Sequence, residues 1–230
     1  MKCVQISAII LLWLSTNSMG QINLQECFTL AYDQAIAGKW GQLESVSGPG
    51  STLQQTDIVR SFLPKILAEF NIISILDAPC GDFYWMQYVK LNDCYYAGID
   101  IVEEMIEKNI CRYRTPDRSF SCKDLLNDTL PYADLIISRD FFVHLSDADI
   151  YKALHNFKQS GAKYILTTTF PTRTNQDMAS GGWRPINLQR YPFNFPEPLI
   201  IVNEQCTEQN GIYADKSLAL WKLDDITFGN

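Results

Sequence analysis

Four acidic residues stand where predicted strands end, and together they could bind a polar ligand. Each follows a short apolar or small-residue run typical of a buried strand; they are Asp77, Asp100, Asp124 and Asp140. Ligands of open α/β sheets bind beyond the carboxyl ends of the strands, so acids at that edge can meet one ligand. A single acid in such a place can instead cap a turn. Four of them at one edge favour a ligand site, above all for Asp77 and Asp100.

The spacing of the first two acids predicts a nucleoside ligand. Asp100 comes 100 − 77 = 23 positions after Asp77, close to the interval of about 20 residues at which an acid meets a ribose in nucleotide-binding βαβ units. A carboxylate suits a ribose because its two oxygens can accept both diol protons. Gly81 would let the loop backbone approach the ligand, and Asp82 would accept hydrogen bonds from it.

The same loop argues against a dinucleotide. The Gly-x-Gly-x-x-Gly fingerprint seats a pyrophosphate on a helix start, whereas Pro79 and Phe83 flank a single glycine, Gly81, in this chain. A nucleoside without a pyrophosphate fits the loop better, which disfavours a nucleotide-dependent oxidoreductase.

The elements that must position these acids alternate between strand and helix along one domain. Apolar runs predict strands at 72–76, 94–100, 119–122, 133–138 and 164–169. Helical spacing predicts helices at 24–40, 56–70, 84–90, 103–110 and 146–160, with Pro64 kinking or dividing the second. This alternation predicts a doubly wound parallel α/β sheet. Two later runs, 199–202 and 217–221, predict an antiparallel hairpin at one sheet edge.

Three short motifs resemble the successive cofactor motifs of class I S-adenosylmethionine-dependent methyltransferases. They are Asp-Ala-Pro-Cys-Gly-Asp at 77–82, Gly-Ile-Asp at 98–100 and Lys-Asp-Leu at 123–125, and the resemblance covers about residues 40 to 222. It implies a mostly parallel seven-stranded sheet with an antiparallel last strand. The chain departs from the family at Pro79 and Phe83, where glycines are common.

The resemblance also implies which residues contact S-adenosyl-L-methionine. The loop from Asp77 to Asp82 would surround the methionyl part, Asp100 would hold the ribose hydroxyls, and Asp124 with Leu125 would flank the adenine. The complete set of predicted cofactor contacts is Asp77, Ala78, Cys80, Gly81, Asp82, Asp100, Ile101, Asp124, Leu125 and Arg139.

The segment 138–145 lies where this family keeps its fourth motif, between cofactor and acceptor. Methyl transfer requires the acceptor to be aligned with the methyl carbon, and a hydroxyl acceptor must also lose its proton. Asp140 and His144 are the candidate catalytic residues. In one helical turn they would be at i and i+4, so that Asp140 could fix the tautomer of His144. Alternatively, His144 caps or packs beneath the following helix.

Two loops leave alternatives open. The loop 171–198 could form an acceptor pocket in which Arg184 binds an anionic acceptor, or its aromatic residues, such as Trp183, could only pin it down. The polar turn 47–51 is either a linker between helices, which the sequence favours, or a lid over the ligand.

The composition of the chain limits the classes of molecule that it is expected to bind. A formal charge of −7 gives no basic surface for nucleic acid, and two histidines with scattered cysteines give no metal site. We therefore expect methyl transfer to an unidentified small-molecule or glycan-like acceptor. The alternative is a catalytically inactive methyltransferase-like binding module.

The first twenty residues predict a secretory signal peptide. One lysine, a short apolar segment and small residues fit residues 1–20, with cleavage before Gln21 and a single domain from 21 to 230. The apolar segment is short for a membrane span. We expect the secretory pathway or secretion. An uncleaved N-terminus in a cytoplasmic protein is the alternative.

Overall fold

The computed structural model describes residues 23–42 and 44–227. The predicted signal peptide, residues 1–20, lies outside the described residues. Within them, none of the helices combines the length and apolar character that a membrane crossing needs.

A single seven-stranded sheet forms the centre of the molecule. Its strands are β1 (Ser74–Asp77), β2 (Tyr95–Asp100), β3 (Arg118–Cys122), β4 (Leu135–Ser138), β5 (Tyr164–Thr169), β6 (Ile200–Asn203) and β7 (Ser217–Lys222). The order across the sheet is β3-β2-β1-β4-β5-β7-β6. The first five strands are mutually parallel, and only β7 runs antiparallel to its neighbours β5 and β6. The predicted sheet with its antiparallel last strand is confirmed, although β7 lies inside the sheet and β6 forms the edge.

Four helices follow the strand–helix alternation: α1 (Leu24–Ile36), α2 (Asp57–Glu69), α3 (Glu103–Tyr113) and α4 (Asp147–Gln159). Leu63 and Ile66 of α2 and Ile106 of α3 pack on one face of the sheet. Leu154 and Phe157 of α4 pack on the other face. Because helices cover both faces, the central strands β1 and β4 are buried on both sides, as their apolar sequences require.

Two local predictions were wrong, and one was decided in part. Of the two effects expected of Pro64, division of α2 does not occur, because the buried residues on either side of it keep the helix against the sheet despite the lost hydrogen bond. Only a 3-10 turn, Met86–Tyr88, forms where a helix 84–90 was expected, since Val89 is already extended. Helix α1 ends at Ile36, four residues earlier than expected.

The strand order contains a switch point between β1 and β4. From β1 the chain builds outward through β2 to β3, then returns to place β4 on the other side of β1. The loops after β1 and β4 therefore diverge and leave a crevice at the carboxyl ends, the place where open α/β sheets bind ligands.

Candidate functional site

Asp77 ends β1 at the switch point and is buried there. Its Oδ2 accepts a hydrogen bond of 2.6 Å from the hydroxyl of Tyr96 on β2. Burial raises the pKa of Asp77 to about 7, although the Tyr96 hydrogen bond acts in the opposite direction. When ionised, Asp77 is a buried negative charge that the surrounding residues only partly balance. A cationic group of a ligand would stabilise this charge.

Asp100 ends β2 and joins the first loop to the second strand. Its Oδ2 accepts from the backbone N–H of Gly81 at 3.1 Å, and its Oδ1 accepts from the backbone N–H of Val102 at 3.1 Å. Burial raises the pKa of Asp100 to about 6. Since a carboxylate has about four lone-pair positions, Asp100 keeps capacity for ligand hydroxyls. Asp77, Gly81 and Asp100 are thus brought together as the sequence predicted.

Asp82 binds a neighbouring segment of the chain, residues 45–51, which we call the strap. The hydroxyls of Ser45 and Ser47 and the backbone N–H of Val46 all donate to the Asp82 carboxylate, at 2.9 to 3.1 Å. The Ser47 hydroxyl also packs on Gly81, where a Cβ would lie only 2.3 Å from it. The segment is therefore more than a linker, because it covers the loop after β1. Contact between Asp82 and a ligand stays a prediction.

The remaining residues of the first loop are buried and shape its backbone. The Ala78 N–H donates to the Ile137 carbonyl of β4, and the Cys80 N–H donates to the Ile99 carbonyl of β2. Burial raises the pKa of the Cys80 thiol well above its ordinary value. Ala78 and Cys80 thus hold the loop between the two strands that flank β1.

The predicted adenine residues lie beside Asp100. The Lys123 N–H donates to the Asp100 carbonyl, which places the turn after β3 next to the end of β2. The Asp124 carboxylate accepts from the Leu126 N–H and from Asn127 Nδ2, and so caps this turn. Leu125 is buried. Ile101, which is half-buried, packs against Tyr32, Val102 and Met105.

Arg139 is buried beyond the end of β4 and ties three segments together. Its Nε and Nη2 donate to Glu204 Oε2, and Nη2 also donates to the Gly50 carbonyl of the strap. Its Nη1 lies 3.2 Å from Asp140 Oδ2. The guanidinium therefore anchors the strap and the chain after β6, while a direct cofactor contact stays a prediction.

Asp140 is held as a carboxylate. Its backbone has a left-handed φ of 55°, and its N–H donates to Thr168 Oγ1 at 2.8 Å. Its Oδ2 lies 2.6 Å from Lys216 Nζ. Although burial works in the other direction, the charges of Lys216 and Arg139 hold the pKa of Asp140 well below its usual range. Such a carboxylate is a poor proton acceptor.

His144 presents an unprotonated nitrogen. It closes a 3-10 turn, Phe142–His144, and its Nδ1 lies 2.8 Å from the Gly182 carbonyl. Because a carbonyl can only accept, Nδ1 carries the proton and Nε2 carries the lone pair. Burial lowers the pKa of His144. The predicted role of Asp140 in fixing this tautomer was wrong, since the left-handed Asp140 precedes the turn and Gly182 takes that role.

Arg184 does not face outward to capture an anion. It is buried in the loop 171–198, where it donates to the Leu145 and Gln176 carbonyls and to Asp147 Oδ1. Trp183 packs edge-on against Phe170 and beside Tyr213. Of the two alternatives for this loop, the contacts therefore favour the structural one over an anion-binding Arg184, because the charge of Arg184 satisfies chain groups and fixes the loop.

Sequence reasoning missed three residues at this end of the sheet: Thr168, Glu204 and Lys216. Charged side chains are rarely buried unless paired, and nothing local marks Lys216 or Glu204 as buried. The available signal was their position, next to the ends of β6 and β7. Over 23–42 and 44–227, no cluster of three or more His, Cys, Asp or Glu is arranged to hold a metal.

No protein-family model matches the sequence, and no curated protein matches it. Solved structures match the fold. The 1,6-didemethyltoxoflavin-N1-methyltransferase of Burkholderia thailandensis, with bound S-adenosylhomocysteine, is 12% identical at a TM-score of 0.61, covering 90% of this chain and 92% of that one. The magnesium protoporphyrin IX methyltransferase of Synechocystis PCC 6803 is 11% identical at a TM-score of 0.59, covering 86% and 97%.

A third match is an S-adenosylmethionine-dependent methyltransferase of Clostridium acetobutylicum, 13% identical at a TM-score of 0.53, covering 90% of this chain and 100% of that one. Identities this low establish architecture only. This chain has the fold of the class I methyltransferases.

Proposed function

We propose that the chain is an S-adenosylmethionine-dependent methyltransferase acting on a small-molecule or glycan-like acceptor. The observation that carries the proposal is the hydrogen bond from the Gly81 N–H to Asp100 Oδ2. This bond joins the loop after β1 to the acid that ends β2, at the switch point where this class of sheet binds a ligand.

The residues around that bond fit the cofactor. Two buried acids, Asp77 and Asp100, have pKa values raised to about 7 and about 6 by burial, so their ionised forms would be stabilised by the positive sulfonium and ammonium groups. Asp100 has lone pairs left for the ribose hydroxyls, and the turn at Asp124 and Leu125 lies beside it for the adenine. When bound, S-adenosylmethionine supplies an electrophilic methyl carbon on sulfur.

The chain's own task is to align the acceptor and to remove its proton. The cofactor, which Asp77 and Asp100 would hold, would supply its methyl group to the lone pair of an acceptor hydroxyl or amine. His144 Nε2 accepts the acceptor's proton, because Gly182 holds the other ring nitrogen protonated. Asp140 stays ionised nearby. An inactive binding module would not require an imidazole oriented in this way, which supports turnover over that alternative.

Calorimetric titration of the purified chain with S-adenosylhomocysteine tests the proposal. We expect the wild-type chain to bind, Asp100→Ala to lose binding, and Asp117→Ala, at an exposed acid before β3, to bind as the wild type does. A folded wild-type chain that binds no S-adenosylhomocysteine would overturn the assignment.

The secretory location also stays a proposal, since residues 1–20 lie outside the described residues. Secretion of the expressed chain into the medium, lost when residues 1–20 are deleted, would support it. Retention of the full chain in the cytoplasm would support the alternative.

A further inference from the structure

We propose that Phe28 is a positioning residue for His144, so that helix α1, which carries it, completes the candidate active site from outside the cofactor motifs. The resemblance to the methyltransferase family covers about residues 40 to 222, and α1 precedes all of them. The inference rests on the proposed function and deepens it, because it identifies what holds the imidazole in place for proton transfer.

Three side chains on one face of α1 attach the helix to the rest of the chain. Leu24, Phe28 and Tyr32 follow one another at intervals of four residues, so they lie on successive turns of the same face. Leu24 packs against the core cluster that includes Phe142. Tyr32, which is only 4% exposed, packs with Val102. Phe28 is therefore held between two anchored turns of the helix.

The position of Phe28 is over the carboxyl end of β1. Phe28 packs against the cluster of Tyr32, Val102 and Met105, and it also contacts His144. Val102 follows β2, and His144 lies beyond β4. Because β1 lies between β2 and β4 in the sheet, a side chain that reaches both contacts lies at the crevice.

The Phe28 ring contacts the His144 imidazole edge to face. The two ring centroids are 5.9 Å apart, and the ring planes are inclined at 85°. Aromatic rings prefer this arrangement to a face-to-face stack, because the edge of one ring is positive and the face of the other is negative. The pair therefore has a defined relative orientation, which an aliphatic side chain of similar size would not impose on the imidazole.

The loop 171–198 supplies the second contact to the imidazole. The Gly181 N–H donates to the His144 carbonyl, and the Arg184 N–H donates to the Val143 carbonyl, so the loop runs alongside the turn that contains His144. Between these two bonds, the Gly182 carbonyl lies 2.8 Å from His144 Nδ1. The main chain therefore fixes the hydrogen-bond acceptor for Nδ1.

The two contacts fix different properties of the ring. Gly182 accepts the proton of Nδ1 and so leaves the lone pair on Nε2. Phe28 restricts the rotation of the ring, which keeps Nδ1 on the Gly182 carbonyl. Without Phe28 the imidazole would turn, and the Nδ1 hydrogen bond would be made for only part of the time. Because proton acceptance requires a lone pair at a defined position, His144 depends on both contacts.

The tautomer of His144 tests the proposal without an acceptor. The chain has only two histidines, His144 and His155, and His155→Gln assigns the signals in protein labelled with ¹⁵N in the histidine rings. At about pH 8 the ring is neutral, and we expect wild-type His144 to carry its proton on Nδ1. Phe28→Leu should lower the ratio of the Nδ1–H to the Nε2–H tautomer by roughly 5-fold, the effect of one weakened hydrogen bond.

Variants of the same helix provide the controls. Phe28→Tyr keeps the aromatic ring at this partly buried position and should retain the wild-type ratio. Leu30 is 41% exposed, so Leu30→Ala should leave the ratio unchanged. Phe28→Met takes the place of Phe28→Leu if that variant does not fold. An Nε2–H tautomer in the wild type, an unchanged ratio in folded Phe28→Leu, or an equal change in Phe28→Leu and Phe28→Tyr would overturn the proposal.

Titration of the same samples with S-adenosylhomocysteine keeps the two proposals apart. A chain that shows the tautomer change but binds no S-adenosylhomocysteine retains the role of Phe28 toward His144 and loses the methyltransferase assignment. A chain that binds S-adenosylhomocysteine without the tautomer change retains the assignment and loses the role of Phe28.

Discussion

The hydroxyl of Tyr96 donates a hydrogen bond of 2.6 Å to the Asp77 carboxylate, and both side chains are buried between the first two strands. Burial, which raises the pKa of Asp77 to about 7, outweighs this bond, which lowers it. Ionisation of Asp77 therefore destabilises the folded state, and protonation or a bound cationic ligand relieves that destabilisation.

We expect the free energy of unfolding to fall between about pH 4 and pH 7 because of Asp77. The folded state has the higher pKa, so it binds more protons than the unfolded state in that window, and stability decreases as the pH rises through it. At about 1.4 kcal/mol per pKa unit, the effect over the whole window is on the order of 4 kcal/mol. Urea denaturation at pH 5 and pH 8 should show a smaller decrease for Asp77→Asn than for the wild type.

Cofactor affinity should depend on the ionisation of Asp100. The pKa of this carboxyl is raised to about 6 by burial, and only the ionised form can accept from two ribose hydroxyls as well as from its backbone donors. We expect affinity for S-adenosylhomocysteine to increase roughly 10-fold from pH 5 to pH 7. Asp100→Asn should bind weakly and with a flatter pH dependence. If the pH dependence of affinity persisted unchanged in Asp100→Asn, it would arise from the ionisation of another group.

Gly81→Ala should destabilise the chain through the strap. Gly81 has a φ of 55°, and a Cβ there would lie 2.3 Å from Ser47 Oγ. The backbone strain alone costs about 1 kcal/mol, and the collision adds to it unless the strap moves. We expect faster limited proteolysis within residues 44–52. Ser47→Gly in the same chain should restore part of the stability, and a lack of any restoration would contradict the assigned contact.

Replacement of His144 should separate binding from turnover. His144→Gln should retain S-adenosylhomocysteine affinity and lose methyl transfer by roughly 100-fold or more, once an acceptor is found by screening with labelled methyl donor. His155, exposed on α4, provides the matched control, because His155→Gln should leave both properties unchanged. Equal loss of turnover in the two variants would remove His144 from the reaction.

The sequence predicted the features that depend on local pattern. Apolar runs that end in an acid predicted the strands of Asp77 and Asp100. The helix predicted from residue 146 also begins there, where the Ser146 hydroxyl caps α4 by accepting from the Asp149 N–H at 3.2 Å. Such features depend on backbone geometry and burial over a few residues. Together with the resemblance to a known family, they were enough to predict the sheet and the position of the loop after β1.

The sequence could not predict the features that depend on distant pairing. Asp82 binds the strap, 35 to 37 positions earlier, and Lys216, before β7, reaches Asp140, after β4, from 76 positions away. The left-handed backbone of Asp140 is stabilised by Thr168 on the neighbouring strand. The helical turn therefore begins only at Phe142, and Asp140 and His144 do not lie at i and i+4 of one turn. Buried ion pairs of this kind form only when the fold brings their members together.

The strap has two anchors, Asp82 after β1 and Arg139 after β4, and these strands flank the crevice. Residues 45–51 therefore cross the opening of the crevice and are anchored on both sides of it. In a catalytic cycle, S-adenosylhomocysteine would leave and S-adenosylmethionine would enter by this route only after the hydrogen bonds at one of the two anchors had broken. If this opening is slower than methyl transfer, it sets the speed of the cycle, which then varies little from one acceptor to another.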